Sequence, residues 1–172
     1  MSNTTPTTTT EEEIPGLDIL QKFLANGRTM RDFTALTPES MEVIYMLAFN
    51  LYNAAKFDEA EKIFKLLANL DHFDHRYWKG LGAARQGLKK YEDALMAYGY
   101  VGLMNPKDPT NPFEAGKCFL ALGKTAEALA ALRAAVFTSN NQPEYAELNA
   151  TAKNLLEITE ANMKTAQTEA RK

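Results

Sequence analysis

Four neighbouring residues near the middle of the chain carry side chains that could bind a metal ion. They are Asp71, His72, Asp74 and His75. Their oxygen and nitrogen atoms are ligands that zinc accepts, but the spacing predicts a turn between helices, where nothing fixes a coordination geometry. We therefore predict no metal site. We expect instead that Asp74 caps the following helix by accepting backbone N–H bonds.

The other reactive side chain is the thiol of Cys118, the single cysteine of the chain. It lies within a predicted helix with no histidine nearby in sequence, which favours a buried, inert thiol over a nucleophile. The sequence contains no glycine-rich phosphate loop, no nucleophile elbow and no HExxH motif. We predict that the protein has no catalytic residues, is not an enzyme and uses no cofactor.

The composition is that of a globular protein with nearly balanced charge. The 172 residues are 45% hydrophobic and carry a net charge of −3, with basic and acidic side chains interspersed. Nucleic-acid binding normally needs a basic face, so we expect none. The polar, acidic N-terminus has no features of a secretory signal, and no apolar run is long enough to span a membrane. We expect a cytoplasmic protein without stable membrane insertion.

A period of 34 residues organises most of the chain. Ala60, Ala94 and Ala128 stand 34 positions apart. The same step relates one set of small residues and one of large residues, namely Ala48, Gly82 and Gly116, and Phe64, Tyr98 and Leu132. Small residues allow two helices to cross closely, and 34 is the tetratricopeptide period. We predict an all-α superhelical solenoid of three repeats, at about 41–74, 75–108 and 109–142.

The third repeat departs from the tetratricopeptide pattern at its first helix. Pro112 stands where the motif has a tryptophan, which repeat 2 retains as Trp78. Proline is tolerated at the first position of a helix, where its missing N–H costs little. We therefore predict that Asn111 is the N-cap of this helix and that Pro112 occupies its first position.

Two helices and a tail are predicted outside the repeats. Residues 1–13 form a low-complexity Thr and Glu tail, which predicts disorder and leaves a single domain at 14–168. Apolar positions spaced by three and four predict a helix at 14–26 and a C-terminal capping helix at about 143–168. The first of these helices carries an apolar stripe of Leu17, Leu20, Phe23 and Leu24. Because this stripe needs a surface to cover it, we predict a weak homodimer that uses it.

The first helix of repeat 1 carries two apolar stripes. The predicted core-facing stripe consists of Ile44, Leu47, Ala48 and Leu51. At about 100° per residue, Tyr45, Phe49 and Tyr52 fall on a second stripe about a third of a turn away. First helices line the concave surface of such solenoids, so this stripe predicts a ligand groove. The alternative is that the N-terminal helix covers the three rings.

Equivalent positions in the later repeats extend the predicted groove. They are Lys79, Ala83 and Gln86 in repeat 2, and Phe113, Lys117 and Leu120 in repeat 3. The small side chain of Ala83 leaves room for a ligand side chain in the middle of the groove. Lys79 and Lys117 could hydrogen-bond a ligand backbone, although solvation is the more common fate of exposed lysines.

Four segments carry a resemblance that is more specific than the repeat. They are LAFNLY (Leu47–Tyr52), LDHFD (Leu70–Asp74), GLGAARQ (Gly80–Gln86) and PFEAGKC (Pro112–Cys118). They resemble the class II chaperones of type III secretion, the translocator chaperones of the LcrH/SycD type, over roughly residues 14–160. The resemblance implies three repeats, no ATPase activity and binding of two hydrophobic pore-forming translocators before export. It also implies that the concave groove holds an extended client segment with a Pro-x-Leu-x-x-Pro pattern.

Two other functions remain open from the sequence. A general tetratricopeptide adaptor that grips an acidic C-terminal tail uses a clamp of Lys, Asn and Arg on its groove helices. Here the corresponding positions include Tyr45, Phe49 and Glu114, which make the groove too apolar and place an acid where a base is needed. A secretion-linked regulatory role could accompany client binding, since some proteins of the resembled family take part in regulating virulence genes.

Overall fold

Helices account for the regular structure of the described chain. The computed structural model describes residues 26–169, apart from the side chain of Gln167, and contains no strand in that range. The α-helices are α1 (Pro38–Asn53), α2 (Phe57–Leu70), α3 (His75–Gly87), α4 (Tyr91–Met104), α5 (Thr110–Ala121), α6 (Thr125–Ser139) and α7 (Ala146–Glu169). Short 3-10 helices lie at Met30–Phe33 and Pro143–Tyr145. The predicted all-α solenoid of tetratricopeptide repeats is confirmed.

The predictions for the N-terminal tail and the helix at 14–26 fall almost wholly outside the described residues. This applies to the predicted dimerisation residues Leu17, Leu20, Phe23 and Leu24. Within the described range, each helix packs chiefly on its neighbours in sequence, from α1 on α2 through to α6 on α7. That nearest-neighbour packing is typical of a solenoid, in which each repeat depends on the next for a core. None of the described helices is long and apolar enough to cross a bilayer.

The turn inside each helix pair has the same backbone conformation in all three repeats. Ala55, Lys89 and Gly123 have φ values of 56°, 60° and 70°, in the left-handed region. They stand 34 positions apart, two residues after the last residue of α1, α3 and α5. A left-handed residue just past a helix end lets its N–H reach back to the last carbonyls. The backbone therefore repeats with the period seen in the side chains.

Close helix crossings explain two of the small residues in the repeat. A Cβ atom added to Gly82 would lie 2.7 Å from the ring of Tyr98, and one added to Gly116 would lie 3.0 Å from Leu132. Both large side chains are almost fully buried. The glycines therefore let α3 and α5 approach the helix that follows each of them closely enough to bury these side chains.

Gly82 and Gly99 form a matched pair for testing this crossing. We expect Gly82→Ala to destabilise the protein by about 1–3 kcal/mol, because the new methyl group overpacks against a buried ring. Gly99 lies on α4 with no atom within 4 Å of an added Cβ. Gly99→Ala should therefore raise stability by up to about 1 kcal/mol through helix propensity alone. Urea denaturation measures both; equal changes in the two variants would contradict the crossing.

The structure corrects the core-facing stripe predicted for α1. Leu47 is 52% exposed, whereas Met41, outside the predicted stripe, is 1% exposed. The equivalent of Leu47 in repeat 2, Leu81, is buried against repeat 1. The first repeat has no preceding repeat among the described residues, so the same position meets solvent. The remaining residues of the stripe pack into or against the core.

The start of α5 also differs from the prediction. The helix begins at Thr110, with Pro109 at the N-cap, so Asn111 lies inside the helix and Pro112 at its third position. The carboxylate of Asp108 accepts hydrogen bonds from the N–H and hydroxyl of Thr110 at 2.9 and 2.6 Å. Since the first four N–H groups of a helix have no internal partner, proline is still tolerated there.

The C-terminal helix α7 covers the end of the third repeat. Its Ala152 and Thr159 are buried, and Leu129 and Leu132 of α6 are 4% and 0% exposed. The amide of Asn149 donates to the carbonyl of Val136 at 3.1 Å and so ties the two helices together. Apolar side chains of α6 that would otherwise meet water are therefore inside the protein.

Candidate functional site

The helices α1 and α3 enclose an apolar cavity of about 340 Å³. It is lined by Tyr45, Phe49, Tyr52, Phe64, His75, Arg76, Lys79, Gly80 and Ala83. Five of these residues belong to the predicted groove. The sequence analysis assigned Phe64 to the core and did not include His75, Arg76 or Gly80. Most of the lining is aromatic or small, so the cavity suits apolar side chains.

The aromatic rings of α1 form the wall of this cavity and also contact the core. The ring of Tyr45 lies 6.4 Å from that of Phe49, 6.0 Å from Phe64 and 5.9 Å from Tyr77. Burial raises the pKa of the Tyr45 hydroxyl, which is therefore neutral at physiological pH. Phe49 remains 43% exposed. Tyr45 thus links the core to the cavity, while Phe49 presents an open ring surface.

Arg76 closes the cavity at the N-terminal end of α3. Its guanidinium carbon lies 5.0 Å from the centre of the Tyr45 ring, a cation–π distance. The same guanidinium bonds to Asp74 at 2.7 Å and to Glu42 at 3.1 Å. Glu42 and Arg76 are equivalent positions of repeats 1 and 2, an opposite-charge pairing that could have indicated this contact. The ion pairs hold the guanidinium over the ring.

A second, more polar cavity of about 400 Å³ continues the groove between α3 and α5. It is lined by Tyr52, Lys79, Ala83, Gln86, Gly87, Tyr98, Thr110, Glu114 and Lys117. Tyr98 donates from its hydroxyl to Oε1 of Gln86 at 2.8 Å. Tyr52 and Ala83 border both cavities, so the two form one continuous groove. The structure thus brings together seven of the nine predicted groove residues.

The other two predicted groove residues, Phe113 and Leu120, do not line these cavities. Both are half-buried on α5. Nζ of Lys117 lies 5.0 Å from the centre of the Phe113 ring and 2.7 Å from the Glu114 carboxylate. The cation of Lys117 is therefore already paired within its own helix.

Lys79 is paired as well, with the buried carboxylate that caps α5. Its Nζ lies 3.0 Å from Oδ2 of Asp108, which is 8% exposed. Burial alone would raise the pKa of Asp108. Hydrogen bonds from Thr110 and Lys79 outweigh that effect and hold the pKa below its ordinary value of 3.8. The pair joins the second repeat to the third across the groove.

The Asp108 carboxylate should therefore contribute stability in a pH-dependent way. A lowered folded-state pKa means that the contribution is present above the unfolded-state pKa and disappears as pH falls through the folded-state value. We expect Asp108→Asn to lower the free energy of unfolding by about 1–3 kcal/mol at pH 7. The difference from the parent protein should shrink below about pH 4. Denaturation at pH 7 and pH 3 tests this, and a difference that does not change with pH would contradict it.

The cluster considered for metal binding has other uses. The carboxylate of Asp74 accepts the backbone N–H of Arg76 at 2.9 Å, which confirms the predicted helix cap. Asp71 accepts a hydrogen bond from Arg31 at 3.2 Å and its neighbour His72 offers its carbonyl to Trp78 at 3.0 Å. Both carboxylates are thus engaged in local structure.

The thiol of Cys118 is buried in the core formed by α4 and α5. It is 0% exposed, and burial raises its pKa to about 11. A thiol that is protonated at neutral pH is a poor nucleophile. This confirms the predicted burial.

The paired helices and the continuous concave groove define a protein of the tetratricopeptide repeat class. The sequence model described as Tetratricopeptide repeat matches residues 41–74 and 75–101. Low calcium response locus protein H of Yersinia pseudotuberculosis is 37% identical, over 80% of this chain and 82% of its own length.

Two solved structures extend the comparison. Pseudomonas aeruginosa PcrH, in complex with the chaperone binding region of PopD, superposes with a TM-score of 0.73 at 42% identity, covering 75% of this chain and 97% of PcrH. The Yersinia enterocolitica type III secretion chaperone SycD, with a peptide of the translocator YopD, gives 0.72 at 37% identity, covering 76% and 99%. SycD is also known in an alternative dimer. This chain belongs to the translocator chaperones of type III secretion, the class II chaperones of that system.

Proposed function

We propose that the protein is a cytoplasmic, non-enzymatic chaperone that binds hydrophobic translocators of a type III secretion system. It keeps them export-competent by holding an extended segment in the concave groove. The observation that carries this proposal is the apolar cavity at Tyr45, Phe49 and Ala83, which opens directly into a polar cavity. PcrH and SycD bind segments of PopD and YopD respectively. A Pro-x-Leu-x-x-Pro segment supplies apolar groups of a size that suits the first cavity.

The arrangement of the groove favours an extended segment over a helical one. An extended backbone leaves its N–H and C=O groups free, and the second cavity offers polar partners such as Gln86. The apolar side chains of the same segment would lie against the rings of α1. In this arrangement the side chains provide most of the binding energy, and backbone hydrogen bonds fix the direction of the chain.

The expected affinity of an isolated segment is modest. Three apolar anchors buried at about 2 kcal/mol each would contribute roughly 6 kcal/mol. Ordering six residues costs about 1–2 kcal/mol per residue, which offsets that gain. Prolines reduce this cost because their backbone is already restricted, and hydrogen bonds add to the binding. We therefore expect micromolar or weaker binding, with tight holding of a whole client requiring further contacts.

The charge pattern of the groove argues against an adaptor that grips an acidic tail. Such an adaptor needs cations that are free to meet carboxylates. Here Arg76 is paired with Asp74 and Glu42, Lys79 with Asp108 and Lys117 with Glu114. A carboxylate ligand would have to compete with each of these partners. The apolar cavity then provides the main source of affinity.

Co-expression with the translocators of the same secretion system tests the proposal. We expect each client to accumulate in the soluble fraction with the parent chaperone and to aggregate when Ala83→Arg fills the groove. Lys107→Arg, at an exposed position after α4, is a control that should behave like the parent. Clients that are equally soluble without the chaperone, or with a folded Ala83→Arg variant, would contradict the proposal.

We further propose a weak homodimer that uses the stripe Leu17, Leu20, Phe23 and Leu24. Deleting residues 1–25 should lower the mass measured by light scattering at micromolar concentration. The deletion leaves the Arg31–Asp71 ion pair in place, so the described fold keeps that contact. The same mass for the truncated and full-length proteins at equal concentration would show that the stripe does not mediate association.

A further inference from the structure

The helix α4 has an unusual composition for an element that lies at the surface. After Asp93 it carries no charged residue as far as its end at Met104. Met96 and Leu103 are 65% and 84% exposed. A helix that is apolar on every side is normally covered on every side. The surface of α4 therefore suggests a contact that the described chain does not provide.

Two glycines of α4 support that conclusion. Gly99 and Gly102 lie inside the helix, where glycine is less favourable than alanine by about 1 kcal/mol each. Added Cβ atoms would meet nothing within 4 Å at either position. Gly82 and Gly116, in contrast, are required by close helix crossings within the chain. Internal packing thus gives no reason for the glycines of α4.

Both glycines border a crevice of about 290 Å³ between α4 and α5. Repeat 3 has Asn111 and Pro112 at the positions where repeat 2 has Tyr77 and Trp78. Two large aromatic side chains are thus replaced by smaller ones at this junction, and both replacements line the crevice. Its size suits one bulky apolar side chain from outside.

The side chain of Asn111 indicates what kind of ligand would fit. It is 2% exposed, and neither its Oδ1 nor its Nδ2 has a hydrogen-bond partner within the described residues. A buried amide without partners costs free energy, so such a group usually meets a ligand or water. An extended peptide offers both a free N–H and a free C=O, which complement this acceptor and donor. The interior of a helix offers neither.

The crevice lies on the opposite side of α5 from the groove. At about 100° per residue, its α5 positions Asn111, Ala115 and Phe119 point away from Lys117 and Phe113. We propose that this crevice is a second peptide-binding site. It would take an extended segment of a partner protein, with one bulky apolar side chain over the glycines and a peptide group on Asn111.

A capped amino acid provides the smallest probe of this site. N-acetyltryptophanamide carries one large apolar side chain and two peptide groups. In NMR titrations of the full-length protein, we expect it to cause saturable shifts of the Asn111 side-chain amide and the backbone amide of Gly102. N-acetylalaninamide should bind at least tenfold more weakly. The double variant Tyr45→Ala with Phe49→Ala should retain these shifts, which separates this site from the groove.

Gly102→Leu is the matching loss-of-site variant. Its side chain would enter the open crevice without a clash, so the melting temperature should be unchanged or higher. We expect the probe-induced shifts to weaken at least tenfold. Shifts that persist in this variant, or that never involve Asn111, would overturn the proposal. Shifts of Asn111 that depend on protein concentration without the probe would assign the crevice to a second copy of the chain and would overturn it as well.

Discussion

Tyr45→Ala combined with Phe49→Ala should abolish binding of an extended client segment. Loss of two apolar anchors at about 2 kcal/mol each corresponds to roughly a thousandfold weaker affinity. From a micromolar starting point, that would leave no heat detectable by titration calorimetry. Because the Tyr45 ring also contacts Phe64 and Tyr77, we expect a lower melting temperature with the helical circular dichroism retained.

A control on the same helix separates this effect from a general weakening of α1. Val43→Ala combined with Met46→Ala removes two exposed apolar side chains that do not line either groove cavity. Peptide affinity should stay within about twofold of the parent value. Undiminished affinity in the variant lacking both rings would place the site elsewhere. A complete loss of helical structure would show that the rings belong to the core.

A chain that stops before Pro143 should lose much of its thermal stability. Without α7, the buried Leu129 and Leu132 of α6 would meet water. Exposing two leucines costs roughly 3–6 kcal/mol, a large part of a typical total of about 5–15 kcal/mol. At about 2–4 °C per kcal/mol for a protein of this size, the melting temperature should fall by at least about 6 °C.

A shorter truncation provides the control for that experiment. A chain that ends after Thr165 keeps the buried Ala152 and Thr159 and loses only the end of α7. Its melting temperature should stay close to that of the parent protein. If the chain that stops before Pro143 also melted at the parent temperature, α7 would not cover the third repeat in solution.

Much of the fold could be predicted because a solenoid repeats its local packing. The step of 34 residues places Gly82 under Tyr98 and Gly116 under Leu132, and both contacts are present. The prediction for Leu47 was wrong because it assumed the environment of an internal repeat. A position that is buried against a preceding repeat becomes exposed where the described chain has none. Effects at the end of a repeat array are not part of the repeat pattern.

The candidate groove was predictable in outline but not in its charges. Helical spacing placed Tyr45 and Phe49 on one stripe, and both line the same cavity. The pairing of Lys79 with Asp108 depends on how repeat 2 faces repeat 3, which helical spacing within one element does not define. The start of α5 was misplaced for a related reason, because Asp108, outside the expected cap position, binds the first N–H of the helix.

Site-specific photo-cross-linking tests the central claim most directly. Phe49 and Phe137 are each replaced, in separate proteins, by p-benzoylphenylalanine, and each protein is irradiated with its translocator client. Phe49 lines the groove, whereas Phe137 is 84% exposed on α6 and lines neither groove cavity. We expect a cross-link from position 49 to a proline-containing segment of the client. A client that cross-links only from position 137 would contradict binding in the groove.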